Sequence, residues 1–214
     1  MTKQERWERY YRMLTEWNQK FNLTAITEKN EVYVKHFEDS LLGAFAVPQG
    51  ASLCDVGSGA GFPGVPLKIE REDIRLTLLD SLQKRIGFLQ ALLQELQLSG
   101  ECLHMRAEEA GKGSLRESFD VVTARAVARM NTLAEYCLPL VRVGGVFLAY
   151  KAVAKEELAE SARALELLGG KMREERQFTL SDGEQRTIIV VEKVKPTPKA
   201  YPRGKNKERT QPIV

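Results

Sequence analysis

Residues 53–64 read LCDVGSGAGFPG, an apolar run followed by Gly57, Gly59, Gly61 and Gly64. Glycines at that density let a backbone turn tightly and come close to a ligand, at an entropic cost that an ordinary connector does not need. The residues that lead into them, ASLCDV, are short, apolar and bounded by turn residues, as a buried strand should be. A helical pattern follows. A glycine loop between strand and helix lies at the carboxyl edge of a parallel sheet, where doubly wound folds bind their ligands.

The same alternation continues downstream. IRLTLLD, ECLHMR, FDVVTA and GVFLAY read as further buried strands, with helices between them; the clearest helix carries Leu82, Ile86, Leu89, Leu93 and Leu96 at spacings of three and four. Strand and helix in alternation imply a parallel sheet covered on both faces. After a helix through Leu158, Ala162, Leu165 and Leu168, the segments REERQFTL and RTIIVVEKV flank SDGEQ, whose Asp-Gly signals a hairpin. The expected fold is α/β: a Rossmann-like sheet of seven strands, mostly parallel, with a C-terminal antiparallel hairpin. Before it, Trp7, Tyr10, Tyr11, Leu14, Trp17 and Phe21 form one helical stripe, and Tyr33, Phe37, Leu41 and Phe45 a second that Pro48 and Gly50 end. Three regions are expected: a helical segment 1–48 packed on the core, a ligand-binding domain 49–194, and a basic, proline-containing tail 195–214.

At 214 residues and 43% hydrophobic content, the chain can bury one substantial core plus an extension. The start, MTKQERWERYYRMLTEW, is too charged for a signal peptide, and no run approaches the roughly 20 apolar residues of a membrane span. A cytoplasmic monomer without membrane contact is expected. Cys54, Cys102 and Cys137 form no CxxC pair, so neither a disulfide framework nor a metal site is indicated. The net charge of +3 is unevenly placed: Lys193–Arg209 holds seven Lys or Arg against Glu208, leaving about −3 elsewhere. Pro196, Pro198 and Pro202 favour an extended tail there, either a solvated terminus or an arm that gains counterion-release energy on a phosphate backbone.

The loop itself excludes two ligands. Val65 stands where a P-loop requires Lys, and Phe62 stands where the dinucleotide fingerprint requires glycine. What remains is Asp55-x-Gly57-x-Gly59-x-Gly61. Asp80 ends the next strand, where a carboxylate can accept two ribose hydroxyls from a nicotinamide dinucleotide or from S-adenosylmethionine alike. The third strand ends in Arg106-Ala107-Glu108, a small residue and an acid that suit an adenine edge. Taken together, these three strand ends and the seven-strand ending resemble class I S-adenosylmethionine-dependent methyltransferases. The fourth strand end carries neither the Asn-Pro-Pro-Tyr of exocyclic amine methylation nor a nucleophilic cysteine.

A more specific resemblance spans Trp17 to Lys151. WNQKFNLTAIT, VKHFEDSLL, DVGSGAGFPGVPLKI, LLDSLQKRIGFL, VVTARAVA and VGGVFLAYK, in this order, resemble the bacterial glucose-inhibited division protein B family. The resemblance implies an S-adenosylmethionine-dependent enzyme that methylates N7 of a guanine in small-subunit (16S) ribosomal RNA, with that RNA or the small ribosomal subunit as partner. It further implies that Gly57 and Phe62 contact the cofactor, with Asp55 and Gly59 beside them in the loop. Asp80 would take the ribose hydroxyls, Ala107 and Glu108 the adenine, and Arg125 would sit where cofactor and target base meet and orient the base. Candidate RNA contacts are Asn22, Lys35, Lys84, Arg85, Arg129, Lys151, Lys199, Arg203, Lys205 and Lys207. N7 carries a lone pair, so the chemistry needs no general base, and His36 and His104 have no evident catalytic partner. The rival expectations are a small-molecule methyltransferase of the same fold and a non-catalytic ribosome-assembly factor.

Overall fold

A computed structural model describes residues 1–125, 128–152 and 155–214; the motif VVTARAVA thus extends onto residues 126–127, which lie outside the described residues. In chain order the elements are α1 (Lys3–Phe21), α2 (Lys29–Val32), a π-helical turn (Tyr33–Glu38), α3 (Asp39–Leu41) and a 3-10 turn (Ala44–Ala46). There follow β1 (Ser52–Val56), α4 (Gly64–Glu70), β2 (Arg75–Asp80), α5 (Gln83–Glu95), β3 (Glu101–His104), α6 (Ala107–Ala110), β4 (Phe119–Arg125) and α7 (Met130–Cys137). The chain ends with β5 (Val141–Lys151), α8 (Lys155–Leu167), β6 (Gly170–Thr179), β7 (Gln185–Lys193) and α9 (Lys207–Thr210).

The seven strands form one sheet in the order β3-β2-β1-β4-β5-β7-β6. β1 pairs in parallel with both β2 and β4, so the winding reverses between β1 and β4 and opens a crevice at their carboxyl ends. The hairpin enters in an order that the turn signal did not specify. β7 is antiparallel to β5 and to β6, so the last strand lies inside and β6 forms the edge. Side chains explain the order. Ile188, Ile189, Val190 and Val191 are fully buried and need a cover on both faces, whereas Lys171, Arg173, Glu175 and Arg176 are exposed and protect an edge.

Alternation along the strands divides the interior into two cores. Leu53, Leu78, Val121, Leu148 and Val190 pack with Tyr10, Leu14, Phe37, Val65, Leu67 and Phe88 on the face covered by α1, α4 and α5. Cys54, Val56, Leu79, Val122, Phe147 and Ile189 pack with Met130, Leu133, Cys137 and Leu165 on the other face. Thr2 caps α1 reciprocally with Glu5, and Asn22 ends it in the left-handed conformation. Two stripe positions depart from expectation. Leu82 precedes α5 and is exposed, and Phe45 is exposed with the Arg176 guanidinium 3.8 Å from its ring centroid.

The tail also differs from the extended arm expected, because it folds back on the second core. Arg116 donates to the carbonyls of Thr197 (2.6 Å) and Tyr201 (2.8 Å), and Ile213 is buried among the core residues. Lys193, counted above as tail charge, is fully buried between the Leu138 carbonyl and the Thr197 hydroxyl, and burial holds its ammonium down to about 8. Arg203 grips the buried Glu135 with two parallel bonds, Nε to Oε1 at 2.9 Å and Nη2 to Oε2 at 2.7 Å. Charge-assisted bonds of this kind are worth roughly 1.5–3 kcal/mol. Glu135→Ala should therefore lower stability by about 2 kcal/mol and speed tryptic cleavage after Lys199, Lys205 or Lys207; cleavage at the wild-type rate would show that Arg203 does not hold the tail.

Candidate cofactor and active site

The site begins with a carboxylate that faces away from it. Asp55 on β1 is fully buried; its Oδ1 accepts from the Thr123 hydroxyl on β4 at 2.9 Å and its Oδ2 from the Gly64 N–H at the start of α4 at 3.1 Å. It was expected among the cofactor contacts. Instead it lies beneath the loop and joins the two strands of the switch point, while burial pushes its carboxyl up to about 6. Above it the N–H groups of Gly57 and Ser58 both donate to the Leu79 carbonyl, drawing the loop across the end of β2.

The glycines serve different ends. Gly59 has φ +59 and nothing but the Gly57 carbonyl within 4 Å of where a Cβ would lie, so its open side faces the cavity. Gly61 has φ +99, and a Cβ there would lie 2.6 Å from the Tyr10 hydroxyl, which donates to the Ala60 carbonyl. The third glycine is therefore required by the docking of α1 as well as by the turn.

Four strand ends and the N-terminal lobe enclose a cavity of about 360 Å³, within the roughly 300–1,000 Å³ of cofactor sites. Gly57, Gly59, Phe62, Asp80, Ala107, Glu108 and Arg125 all line it. Asp80 is buried; its Oδ2 accepts from the Gly59 N–H at 2.9 Å and its Oδ1 from the Leu82 N–H at 3.0 Å, which presents the carboxylate at the mouth of the loop. Arg85, expected to reach RNA, lines the cavity and stands 3.3 Å from Asp80 Oδ2. Its position five residues after Asp80 turns it inward along α5.

At the other end Arg125 is fixed on three sides. Nη1 donates to Asp39 Oδ2 (2.7 Å) and to the Lys35 carbonyl (3.2 Å), Nη2 meets His36 Nδ1 (3.1 Å), and the guanidinium lies 4.8 Å from the Phe62 ring centroid. His36 Nδ1 lies 3.1 Å from both the Arg125 guanidinium, which can only donate, and the Lys35 carbonyl, which can only accept, and Nε2 is 2.8 Å from the Thr24 hydroxyl. Burial, together with the Arg125 charge, holds His36 down to about 3. Burial pushes Asp39 up from its ordinary value against the pull of Arg125 and Arg186. His36, stacked on Phe62 at 4.5 Å, lines the cavity together with Thr24. The cavity-lining residues absent from the expected set include Leu23, Thr24, His36, Ser58, Met105, Tyr136 and Arg209; the WNQKFNLTAIT motif was the available signal for the first two.

The remaining RNA candidates scatter. Asn22 and Lys84 are exposed beside the rim, and Lys84 Nζ donates to the Phe21 carbonyl at 3.3 Å. Lys35 is tied to Glu31 and Glu184, each within 3.2 Å. Lys151 donates to the Ala128 carbonyl (2.7 Å) and Glu157 (2.6 Å), which makes it a clamp on the loop after β4, and Arg129 is paired with Glu160. In the tail Lys199, Lys205 and Lys207 are exposed, whereas Arg203 is held by Glu135. Among the described residues no group of three or more His, Cys, Asp and Glu side chains is placed to hold a metal, and no helix is long and apolar enough to cross a membrane.

A seven-stranded sheet of this order, with a glycine loop after β1, an acid at the end of β2 and another in the first turn of α6 after β3, is the fold of the class I methyltransferases. Solved structures agree: a methyltransferase from Pyrococcus furiosus superposes with TM-score 0.59 at 12% identity, covering 74% of this chain and 82% of that one. M. jannaschii TYW2, in complex with AdoMet, superposes with TM-score 0.59 at 15% identity, covering 74% and 76%. The model of the family described as "rRNA small subunit methyltransferase G" matches residues 3–189, and the chain belongs to that family. Curated relatives bearing the name Ribosomal RNA small subunit methyltransferase G include one from Exiguobacterium sibiricum, 52% identical over 98% of this chain and 90% of its own length. Another, from Geobacillus thermodenitrificans, is 56% identical over 96% and 89%.

The buried groups set opposite responses to acid. An unfolded histidine takes its proton near 6.5, but His36 resists it down to about 3, so its contribution to stability is full above pH 6.5 and is lost as the pH falls. Asp55 acts in the other sense: folded, it binds a proton from about 6 downward, ahead of its ordinary 3.8, and the penalty of its buried charge is relieved over that window. In urea unfolding between pH 7 and 4.5, His36→Gln should flatten the loss of stability and Asp55→Asn should steepen it. Unchanged slopes would place both groups in ordinary solvent.

Proposed function

We propose that this protein transfers a methyl group from S-adenosylmethionine to N7 of a guanine in small-subunit ribosomal RNA, in the cytoplasm and as a monomer. The observation that carries this reading is the convergence of Gly57, Phe62, Asp80, Ala107, Glu108 and Arg125 on one cavity, in a chain of this family. The residues fit the cofactor. Asp80 presents a backbone-braced carboxylate suited to ribose hydroxyls, Gly59 leaves its side of the loop open, and Ala107 beside the buried Glu108 suits an adenine. A solved neighbour holds AdoMet in the same fold.

When bound, S-adenosylmethionine supplies an electrophilic methyl group on a sulfonium. The protein's own part is placement, which can contribute roughly 7–11 kcal/mol when the reacting atoms are held in line. Arg125 is rigid because Asp39, the Lys35 carbonyl and His36 hold it, and it can offer its remaining N–H donors to a guanine O6 or a phosphate. Phe62 and His36 form an aromatic floor beneath it. Asn22, Lys84, Lys199, Lys205 and Lys207 remain as exposed positions for RNA backbone contact.

The test is transfer of a tritiated methyl group to small subunits and to naked 16S RNA from a strain without this gene, followed by chemical cleavage at N7-methylguanine. One labelled, cleavable position is expected. Asp80→Ala should weaken S-adenosylhomocysteine binding at least tenfold and reduce the label accordingly. Label without cleavage would move the reaction to another atom, and cofactor binding without label on either RNA would indicate a small-molecule acceptor.

A further inference from the structure

The tail beyond residue 195 lies outside the span matched by the family, which ends at residue 189, yet one of its side chains lines the cavity. Arg209, in α9, shares that lining with Arg106, Ala107, Glu108 and Tyr136. These residues form one group: Arg106 pairs with Glu108 at 2.7 Å, and the Tyr136 phenol feels the charges of both Glu108 and Arg209. Arg125 belongs to a different group, with His36, Asp39 and Phe62. Arg209 therefore stands at the Glu108 end of the cavity.

One face of α7 holds the tail there. Thr132, Glu135 and Tyr136 recur at the spacing that brings helical side chains onto one surface. The Thr132 hydroxyl donates to the Glu208 carbonyl at 2.9 Å, Glu135 grips Arg203, and Tyr136 lines the cavity beside Arg209. Glu208 is fully buried, and one of its carboxylate oxygens accepts from the Gly204 N–H. So much order around a terminal segment goes beyond what solubility requires.

We propose that the C-terminal segment completes the nucleoside end of the cavity and that Arg209 is a cofactor-binding residue for the adenine. A guanidinium offers a flat cation for an aromatic face and N–H donors for ring nitrogens, so it complements Glu108, which can only accept. Tyr136 is a positioning residue that aims Arg209. This rests on the cofactor reading above, and it means that docking of the tail and cofactor affinity are coupled.

The test measures binding by calorimetry in the full chain with two probes, S-adenosylhomocysteine and 5′-methylthioadenosine, the second lacking the amino-acid end. Arg209→Ala should raise Kd for both by roughly tenfold, with the tail still resistant to trypsin. Arg209→Lys should recover only part of the loss, because it keeps the charge without the plane, and Tyr136→Phe should give a smaller loss on both probes. Wild-type affinity of Arg209→Ala for both probes would overturn the proposal. A loss confined to S-adenosylhomocysteine would place Arg209 at the methionine end and overturn it as well. An unchanged Kd with a raised KM for RNA would make the tail an RNA arm instead. Failure of the wild type to bind either probe would remove the cofactor reading itself, and this inference with it.

Discussion

A single buried carboxylate organises the site without entering it. Asp55 joins β4 through Thr123 and the start of α4 through Gly64, and so fixes three elements at the point where the sheet reverses its winding. The glycine loop can then stretch toward β2, where Gly57 and Ser58 donate to Leu79 and Gly59 donates to Asp80. A charge with no solvent access is costly in a protein interior unless several donors face it. Asp55 has its donors on the elements that must stay together, so the cost also acts as a constraint on register. Slipping β4 by one residue would turn Thr123 away and leave the carboxylate with one partner fewer.

The N-terminal lobe completes the opposite wall by a similar device. The π-helical turn Tyr33–Glu38 widens the helix where Lys35 and His36 meet Arg125, and insertions of this kind often mark functional positions in helices. Asp39 then lies between Arg125, 2.7 Å away, and Arg186 on β7, 3.5 Å away. One carboxylate thereby connects the lobe, the switch strand and the late hairpin. Tyr10 and Phe37 seat the lobe against Phe62, whose other neighbours are His36 and Arg125, so the packing of α1 and the shape of the cavity share side chains.

How much of this could be read from residue order follows from the range of each interaction. The parallel strands, the helix of Ile86 and Leu89, and the loop positions Gly57, Phe62, Asp80, Ala107 and Glu108 are local signals: period, turn chemistry and a strand end. The position of β7 inside the sheet depends on which hairpin strand is apolar on both sides, a signal present in IIVV and absent from the Asp-Gly turn. Asp55 looks like a ligand residue because it precedes the glycines; only its side chain's direction, set by strand alternation, shows that it supports the loop. The tail was misread for a different reason. Its prolines and charges resemble those of an unpacked arm, while the groups that hold it, Arg116, Thr132 and Glu135, come from elements far away in sequence.

The protonation states at the Arg125 end bear on the chemistry as a whole. A reaction in which a proton must leave the nucleophile requires a base near the methyl donor, with basicity raised toward neutral pH. His36 is the imidazole in the cavity, and both of its nitrogens have partners: Nδ1 lies 3.1 Å from Arg125 and from the Lys35 carbonyl, and Nε2 2.8 Å from the Thr24 hydroxyl. Burial and the adjacent guanidinium lower its basicity further. Asp39, the nearby carboxylate, accepts from Arg125 through Oδ2, and its Oδ1 lies 3.5 Å from Arg186 Nε. On the function proposed above, this end of the site would hold a planar group against the Arg125 cation and the Phe62–His36 floor. That arrangement agrees with the proposed nucleophile, guanine N7, whose lone pair already lies in the plane of its ring and needs no base beside Arg125.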